Sequence, residues 1–239
     1  MKLSEIKSIN FTYHNTLNPL LWKEQNGIYV LDNKVKEKLL EIANKFISTL
    51  GLKTSTIKDY VITGSNCNYN YTNKSDLDIH ILFSEVCEDC EIDIEDCLQA
   101  KKTLWNDRHD LTIHKIPVEV YATTMSEKLV KDAGTYSLML DKWINMPEKK
   151  KISFDSVSVI IKADEISKEI DQIISSKSDD EKAIQDLLDR ISRMRSAGIQ
   201  SGGEFSIENL VFKTLRNEGF IDKIRNYSVK AQDDELSLK

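Results

Sequence analysis

Two carboxylates lie two residues apart in a short, mostly apolar segment of the 239-residue chain. The alternation in Asp76–Phe83 predicts a β-strand with Asp76 and Asp78 on one face and with Leu77 and Ile79 directed into the core. Neighbouring carboxylates repel each other unless one is protonated or a cation lies between them, and oxygen-only ligands suit Mg²⁺ or Mn²⁺. The spacing therefore predicts a divalent-metal site.

A third carboxylate follows in a later apolar segment. Glu119 stands between two valines in Pro117–Tyr121, which is also predicted to be a strand. If this strand pairs beside the strand of Asp76 and Asp78, the three acids converge and can hold two divalent ions, which stabilise the attacking and the leaving oxygen of a phosphoryl displacement. The alternative is an exposed strand acid, and the upstream pair of aspartates favours the catalytic interpretation.

A phosphate-binding turn is predicted just before the aspartate pair. The apolar strand Tyr60–Ile62 runs into Gly64 and Ser65, where the absence of a Cβ lets the backbone approach an anionic oxygen and the hydroxyl can donate to it. In the polar loop that follows, Tyr69 and Tyr71 could stack on a nucleobase and Lys74 could contact a phosphate. The tyrosines of this loop equally suit a structural role in which they support the loop against the domain.

These parts together resemble the polymerase-β-like nucleotidyltransferase superfamily. Its pattern is an apolar strand, Gly-Ser, a spacer, Asp-hydrophobic-Asp-hydrophobic and a third acid in a later apolar strand, and the chain matches it at Gly64, Ser65, Asp76, Asp78 and Glu119. The wider chain is similar to a group of nucleotidyltransferase-like proteins associated with tailed phages. The segments that carry this similarity are Leu17–Trp22, Tyr69–Tyr71, Lys101–Asp110, Val118–Tyr121, Gly134–Ser137 and Gly202–Lys213.

The resemblance implies an enzyme that moves NMP from an NTP to a hydroxyl acceptor and releases pyrophosphate. Asp76, Asp78 and Glu119 would be both the catalytic residues and the ligands of Mg²⁺ or Mn²⁺. The nucleotide-binding residues would be Gly64, Ser65, Tyr71, Lys74 and Ser75. The acceptor stays open among an RNA 3′ end such as that of tRNA, a second nucleotide, a small molecule and a protein hydroxyl, and the basic segment Arg190–Lys230 favours an RNA end. The alternative is a catalytically silent nucleotidyltransferase fold that acts as a binding or inhibitory protein.

Hydrophobic periodicity places the elements that must position these residues. Helices are predicted over Asn33–Leu50, with Gly51 as the stop, and over Ile92–Arg108, with Ile94, Leu98, Leu104 and Trp105 along one side. Leu111–Lys115 and Val118–Ala122 are either two strands around a tight connection at Ile116–Pro117 or one strand bent at the proline, and Gly134–Ile144 is typical of a further strand or strand pair. The fold class predicted is α+β, with a nucleotidyltransferase-type mixed sheet flanked by helices and a C-terminal helical bundle.

A change of apolar period divides the chain into a predicted catalytic domain, residues 1–150, and a helical domain, residues 151–239. The core faces predicted for its first two helices are Val157, Ile160, Ile161, Ile166, Ile170, Ile173 and Ile174, then Ala183, Ile184, Leu187, Leu188, Ile191 and Met194, with an end near Gly198. Ser206 is expected to cap a helix over Ile207–Asn217. Gly202-Gly203, with arginines shortly before it, suits either an anion site or a plain turn between helices.

Composition excludes some classes of protein. The chain is 40% hydrophobic and 30% charged, and its formal charge of −6 disfavours a protein that coats duplex nucleic acid. No apolar run approaches the length of a membrane span, so a cytoplasmic protein is expected.

Cys87 and Cys90 have the spacing of half a zinc knuckle without a second pair, which favours free thiols. His109-Asp110 raises a weaker alternative, a metal phosphohydrolase.

Overall fold

The computed structural model of the chain describes residue 6 and residues 13–50, 57–84, 94–124, 134–149, 154–176 and 181–237. Two compact units divide it: one is Thr12–Lys149, and the other comprises Met1–Phe11 and Lys150–Lys239. Each unit has an apolar core of its own. Among the helices in the described ranges, none combines the length and the apolar character needed to cross a bilayer.

The unit Thr12–Lys149 is built on a mixed β-sheet. Its strands are β1 (Trp22–Gln25), β2 (Ile28–Leu31), β3 (Ile57–Thr63), β4 (Leu77–Phe83), β5 (Thr112–Ile113), β6 (Ile116–Thr124), β7 (Thr135–Ser137) and β8 (Lys142–Asn145). β1 and β2 form a separate hairpin, and the others form one sheet in the order β5-β6-β4-β3-β7-β8. The pair β4 and β6 is parallel and the remaining pairs are antiparallel. The predicted α+β class with a mixed sheet is confirmed.

The two faces of strand β4 differ in burial near the carboxylates. Leu77 and Ile79 are fully buried, whereas Asp78 and His80 on the other face are only half-buried, as the alternation predicted. Helix α1 (Asn33–Leu50), which has the predicted bounds, contributes its buried stripe to the same core. The carboxylates therefore lie on the sheet face opposite the one that α1 covers.

Helix α2 (Ile94–Arg108) protects the edge of β6. The Asn106 side chain accepts from the backbone N–H of Val120 (3.1 Å) and donates to its carbonyl (3.2 Å), which satisfies a strand edge that would otherwise be open. Because α2 contacts the sheet along this narrow line, Leu98 and Trp105 are buried but Leu104 is 46% exposed. The prediction that Leu104 lies on the buried side is wrong.

The connection between β5 and β6 differs from the one expected. The turn falls at His114 and Lys115, which both have positive φ (51° and 66°), as a tight hairpin between right-twisted strands requires. Pro117 lies within β6, opposite Thr112. There are thus two strands, and the placement of their connection at Ile116–Pro117 is wrong because the bend uses left-handed residues and not the proline.

The predicted strand pair near residue 140 is present as β7 and β8. Ser137 is fully buried, because β7 lies between β3 and β8. Its hydroxyl donates to Oδ1 of Asp59 at 2.9 Å. Ser137 therefore has a structural role.

The second unit is helical in the described residues. Its helices are α3 (Ser156–Ser175), α4 (Glu181–Gly202), α5 (Ile207–Asn217) and α6 (Phe220–Leu236). Ser206 caps α5 as predicted, since its hydroxyl accepts from the N–H of Asn209. The predicted face of α3 is correct in the second half of the helix, where Ile170 is buried and Ile166, Ile173 and Ile174 pack against the core. In the first half it is wrong: Val159 and Ala163 are buried, whereas Val157 and Ile161 are more than half exposed. The smaller residues allow closer helix contact than the isoleucine-rich stripe suggested.

Helix α4 continues past Gly198. This glycine is buried, and a Cβ on it would lie 2.6 Å from Cβ of Glu208 and 2.7 Å from Oγ of Ser206. The predicted end at Gly198 is wrong because the glycine permits close packing against the start of α5, and it does not supply a left-handed stop. Gly203, at φ 72°, takes that conformation instead.

Candidate active site

The three predicted carboxylates meet on the polar face of the sheet. Parallel pairing of β4 and β6 places Asp78 directly beside Glu119, and Asp76 comes one residue before β4 on the same face as Asp78. One carboxylate oxygen from each of the three residues lies within 4.8 Å of the others, and all three side chains are half-buried. Residues far apart in sequence thus form a compact cluster of negative charge.

A glycine turn borders the cluster. Gly64 follows β3 with φ 83° and ψ −167°, a conformation that L-residues rarely adopt. A Cβ on Gly64 would lie 2.4 Å from Oδ2 of Asp78. Because Thr63 is paired with Asp78 across the sheet, the glycine backbone lies against that carboxylate. Residue 64 is therefore a glycine for two reasons: its backbone conformation is unusual, and there is no room for a Cβ beside Asp78.

Buried asparagines hold the loop after Gly64 in place. The amide of Asn66 accepts from Nδ2 of Asn18 (2.8 Å) and donates to the carbonyls of Asp76 (2.7 Å) and Ser75 (3.3 Å). Trp22 Nε1 donates to the backbone carbonyl of Asn66 at 2.8 Å. The backbone on which Asp76 stands is thus fixed by side chains, a role that we did not predict although the asparagine-rich loop composition was the available signal.

Asn68 continues this scaffold toward β7. Its Nδ2 donates to the carbonyl of Gly64 (2.8 Å), and its Oδ1 accepts from the N–H of Gly134 (3.0 Å). Gly134 must be a glycine, because a Cβ there would lie 2.0 Å from the carbonyl oxygen of Cys67. The turn beside the carboxylates is therefore anchored on both sides.

The structure places the five predicted nucleotide-binding residues on this turn and loop. The Ser65 hydroxyl donates to Oγ of Ser75 (2.8 Å), and Ser75, which is buried, also accepts from the N–H of Thr72 (2.9 Å). Lys74 is exposed. The Tyr71 ring stacks on His14 with centroids 3.8 Å apart and planes 11° apart, so one face of the Tyr71 ring is covered by His14. Contact of these residues with a nucleotide stays a prediction.

Two aromatic residues lie beside the acidic cluster. The Tyr121 hydroxyl donates to Oε2 of Glu119 at 2.6 Å. Burial, the charge of Asp78 and the bond to Glu119 hold the pKa of Tyr121 well above its ordinary value, so it remains a donor. His80 stacks on Tyr121, and burial together with the nearby Lys102 charge lowers the pKa of His80 to about 4, so it is neutral at pH 7. Tyr121 was missed as a site residue.

The donor set fits a hard divalent cation. Three carboxylates offer only oxygen ligands, which is the preference of Mg²⁺ and Mn²⁺, and their mutual repulsion in a half-buried position favours a bound cation. Within the described ranges this is the one cluster of at least three acidic, histidine or cysteine side chains with such spacing. The sequence thus predicted the composition of the cluster, and the sheet pairing accounts for its convergence.

The other chemical signals of the sequence do not form a site in the described residues. His109 packs against Trp105, with ring centroids 3.9 Å apart, and belongs to no metal-binding group there. Cys67 and Cys97 are free thiols, and burial raises the pKa of Cys67 well above its usual value. Cys87 and Cys90, on which the zinc alternative rested, lie outside the described residues.

No model of a known protein family matches the chain, and no curated protein matches it. Among solved structures, it is similar to the CdnE cyclic dinucleotide synthase of Elizabethkingia meningoseptica with GTP and Apcpp, at 16% identity and a TM-score of 0.25, over 82% of this chain and 77% of that one. It is also similar to the STING-associated CdnE c-di-GMP synthase of Capnocytophaga granulosa, at 12% identity and a TM-score of 0.23, over 85% and 84%. At these values the assignment of a function rests on the geometry of the site.

Proposed function

We propose that the chain is a metal-dependent nucleotidyltransferase that transfers NMP from an NTP to a hydroxyl acceptor and releases pyrophosphate. One observation carries the proposal: Asp76, Asp78 and Glu119, on adjacent parallel strands, bring carboxylate oxygens within 4.8 Å of one another beside the Gly64 turn. An anionic substrate meets such a cluster only through a cation, and the turn provides backbone close to it.

Different residues of the chain would bind the metal and the phosphates. Asp76, Asp78 and Glu119 would hold Mg²⁺ or Mn²⁺, which when bound neutralises phosphate charge and orients the reacting oxygens. Gly64 lets the backbone lie close to the cluster, and Ser65 follows it in the turn; to donate to the β- and γ-phosphates, its hydroxyl would turn away from its present acceptor, Oγ of Ser75. Parallel pairing of β4 and β6 fixes the backbone positions from which the Asp78 and Glu119 side chains extend.

The nucleoside is assigned to the loop after the turn. Tyr71, with His14 stacked on one of its faces, is the candidate to stack a base, and exposed Lys74 is the candidate phosphate contact. For the acceptor we propose an RNA 3′ end, on the basis of the basic segment of the second unit. A second nucleotide, a small molecule and a protein hydroxyl are the other outcomes of the test below.

The test is a transfer assay with the full chain. Each α-labelled NTP is incubated with Mg²⁺ or Mn²⁺ and, in separate arms, with RNA, unlabelled nucleotides, small metabolites or protein, and the labelled product is identified. We expect label to enter one arm with release of pyrophosphate. Metal-dependent release of free phosphate without transfer would support the hydrolase alternative instead.

Variants locate the activity. Asp76→Asn and Asp78→Asn should each abolish transfer while the circular dichroism spectrum stays that of the wild type. Asp110→Asn, which changes an exposed acid after α2, is the matched control and should retain transfer. Substantial transfer by the double variant of Asp76 and Asp78 would contradict the proposal. Absence of metal-dependent NTP binding to the wild-type chain in calorimetry would indicate a silent fold.

A further inference from the structure

Tyr121 contacts the acidic cluster without belonging to it. It lies two residues after Glu119 in β6 and therefore on the same face of the sheet. Its hydroxyl donates to Oε2 of Glu119 at 2.6 Å, a short hydrogen bond to a charged acceptor. A carboxylate has two oxygens and about four lone-pair sites, so this bond leaves most of the acceptor capacity of Glu119 for other partners.

The Tyr121 ring is itself held by two side chains from other elements. His80 is paired with Tyr121 across the parallel strands, and the two rings stack with centroids 4.6 Å apart and planes 9° apart. The ammonium of Lys102, on α2, lies 4.2 Å from the centroid of the Tyr121 ring in a cation–π arrangement. A tyrosine fixed in this way presents its hydroxyl at a defined place.

Glu119 needs such a partner more than the two aspartates do. A glutamate side chain has one more rotatable bond than an aspartate, so more conformational freedom is lost when its carboxylate is held at a metal. Asp78, by contrast, lies directly against the Gly64 backbone. Asn106 fixes the neighbouring backbone of Val120, but only Tyr121 is seen to hold the carboxylate of Glu119 among the described residues.

We propose that Tyr121 is a positioning residue for the metal site. It orients Glu119 toward Asp76 and Asp78 before an ion binds, and His80 and Lys102 maintain the ring in the required place. The inference rests on the proposed function, since it assumes that the three carboxylates bind a divalent ion. It adds a residue two positions beyond the third acid as a determinant of metal affinity.

The test measures Mn²⁺ affinity of the full chain by calorimetry, independently of turnover. Tyr121→Phe removes one oxygen and should weaken Mn²⁺ binding about 10- to 100-fold, as is usual when a hydrogen-bond partner of a metal ligand is lost. Tyr136→Phe is the matched control, because the hydroxyl of Tyr136, in β7 of the same sheet, also donates to a carboxylate, Oδ1 of Asp141 at 3.0 Å, which lies outside the cluster. It should bind Mn²⁺ as the wild type does.

A second pair of variants tests the role of the ring stack. His80→Ala should weaken Mn²⁺ binding, and His80→Phe, which restores a planar ring against Tyr121, should bind Mn²⁺ more tightly than His80→Ala. Wild-type Mn²⁺ affinity in Tyr121→Phe would overturn the positioning role and leave the proposed function intact. Absence of Mn²⁺ binding to the wild type would overturn both, so the two failures are distinguishable.

Discussion

A Cβ atom on Gly64 would lie 2.4 Å from Oδ2 of Asp78. Non-bonded carbon and oxygen atoms do not approach so closely. The Asp78 carboxylate can therefore keep its present position only if residue 64 is a glycine. The positive φ of Gly64 adds a second reason for glycine at the same place. The turn and the acid therefore cannot vary independently.

We expect Gly64→Ala to abolish Mn²⁺ binding and nucleotide transfer. The methyl group forces either the Asp78 carboxylate or the turn out of its place, and the backbone conformation adds a strain of about 1 to 3 kcal/mol. Calorimetry with Mn²⁺ and the transfer assay measure the functional loss, and urea denaturation measures the change in the free energy of unfolding.

Gly27→Ala separates the effect of backbone strain from the effect of a steric clash. Gly27 also has a positive φ, 79°, but a Cβ there has no heavy atom within 4 Å. This variant should lose about 1 to 2 kcal/mol of stability and keep the wild-type Mn²⁺ affinity. Wild-type affinity in Gly64→Ala as well would show that Asp78 does not depend on the space at residue 64.

Asn66→Ala should destabilise the unit Thr12–Lys149 by about 3 kcal/mol. The substitution leaves the half-buried carbonyl of Asp76 and the buried amide of Asn18 without their present partners. Each buried polar group that loses its hydrogen bond costs about 1 to 3 kcal/mol. Urea denaturation followed by tryptophan fluorescence gives the change, since Trp22 packs beside this loop and bonds to residue 66.

Asn70→Ala is the contrasting substitution in the same loop. Asn70 is equally buried, but neither polar atom of its side chain has a hydrogen-bond partner in the part of the chain that the structure describes. Its replacement removes no hydrogen bond there and should change the free energy of unfolding by less than about 1 kcal/mol. Equal losses for the two variants would mean that the Asn66 contacts do not stabilise the loop.

Metal binding should stabilise the wild-type chain and not the Asp76→Asn variant. Saturation at one hundred times the dissociation constant adds about 2.7 kcal/mol to the free energy of unfolding. In the absence of metal, Asp76→Asn should be more stable than the wild type, because it removes one of three mutually repelling charges. Thermal unfolding with EDTA and with Mn²⁺ tests both statements, and a variant stabilised by Mn²⁺ as much as the wild type would contradict the assignment of Asp76 as a ligand.

The strands that carry the acids were predictable because their alternation is strict. Leu77 and Ile79 must be buried, so Asp76 and Asp78 share the other face, and the structure agrees. The pairing of the Glu119 strand beside that of Asp78 was only a hypothesis, since it depends on the path of α2 between the strands, and its parallel register was not predicted. Tyr121 was missed because a hydrogen bond between residues i and i+2 on one strand has no signature in residue type alone.

Features that depend on packing between elements were the ones predicted wrongly. Leu104 fits the helical period of α2, but the helix contacts the sheet along an edge, so its position relative to the core could not be read from periodicity. In the first half of α3 the apolar period favoured Val157 and Ile161, but Val159 and Ala163 are the buried residues there. The predicted helix stop at Gly198 is wrong because a glycine that ends a helix and one that permits close approach look the same in sequence.

Gly198→Ala should therefore destabilise the second unit, against the usual effect of this substitution. In an exposed helix interior, replacing glycine with alanine adds about 1 kcal/mol of stability. Here the new methyl group meets Cβ of Glu208 at 2.6 Å and Oγ of Ser206 at 2.7 Å, and Ser206 caps α5. Overpacking of this kind costs about 1 to 3 kcal/mol, and loss of the cap adds about 1 kcal/mol, so the sum exceeds the gain in helix propensity.

Ser196→Ala provides the reference for propensity on the same helix. Ser196 is exposed on α4, and its replacement should add a few tenths of a kcal/mol, about 0.5. Denaturation in urea, followed by far-ultraviolet circular dichroism, should move the midpoint down for Gly198→Ala and slightly up for Ser196→Ala. If both variants were stabilised, α4 and α5 would have room at Gly198, and the glycine would be explained by helix geometry alone.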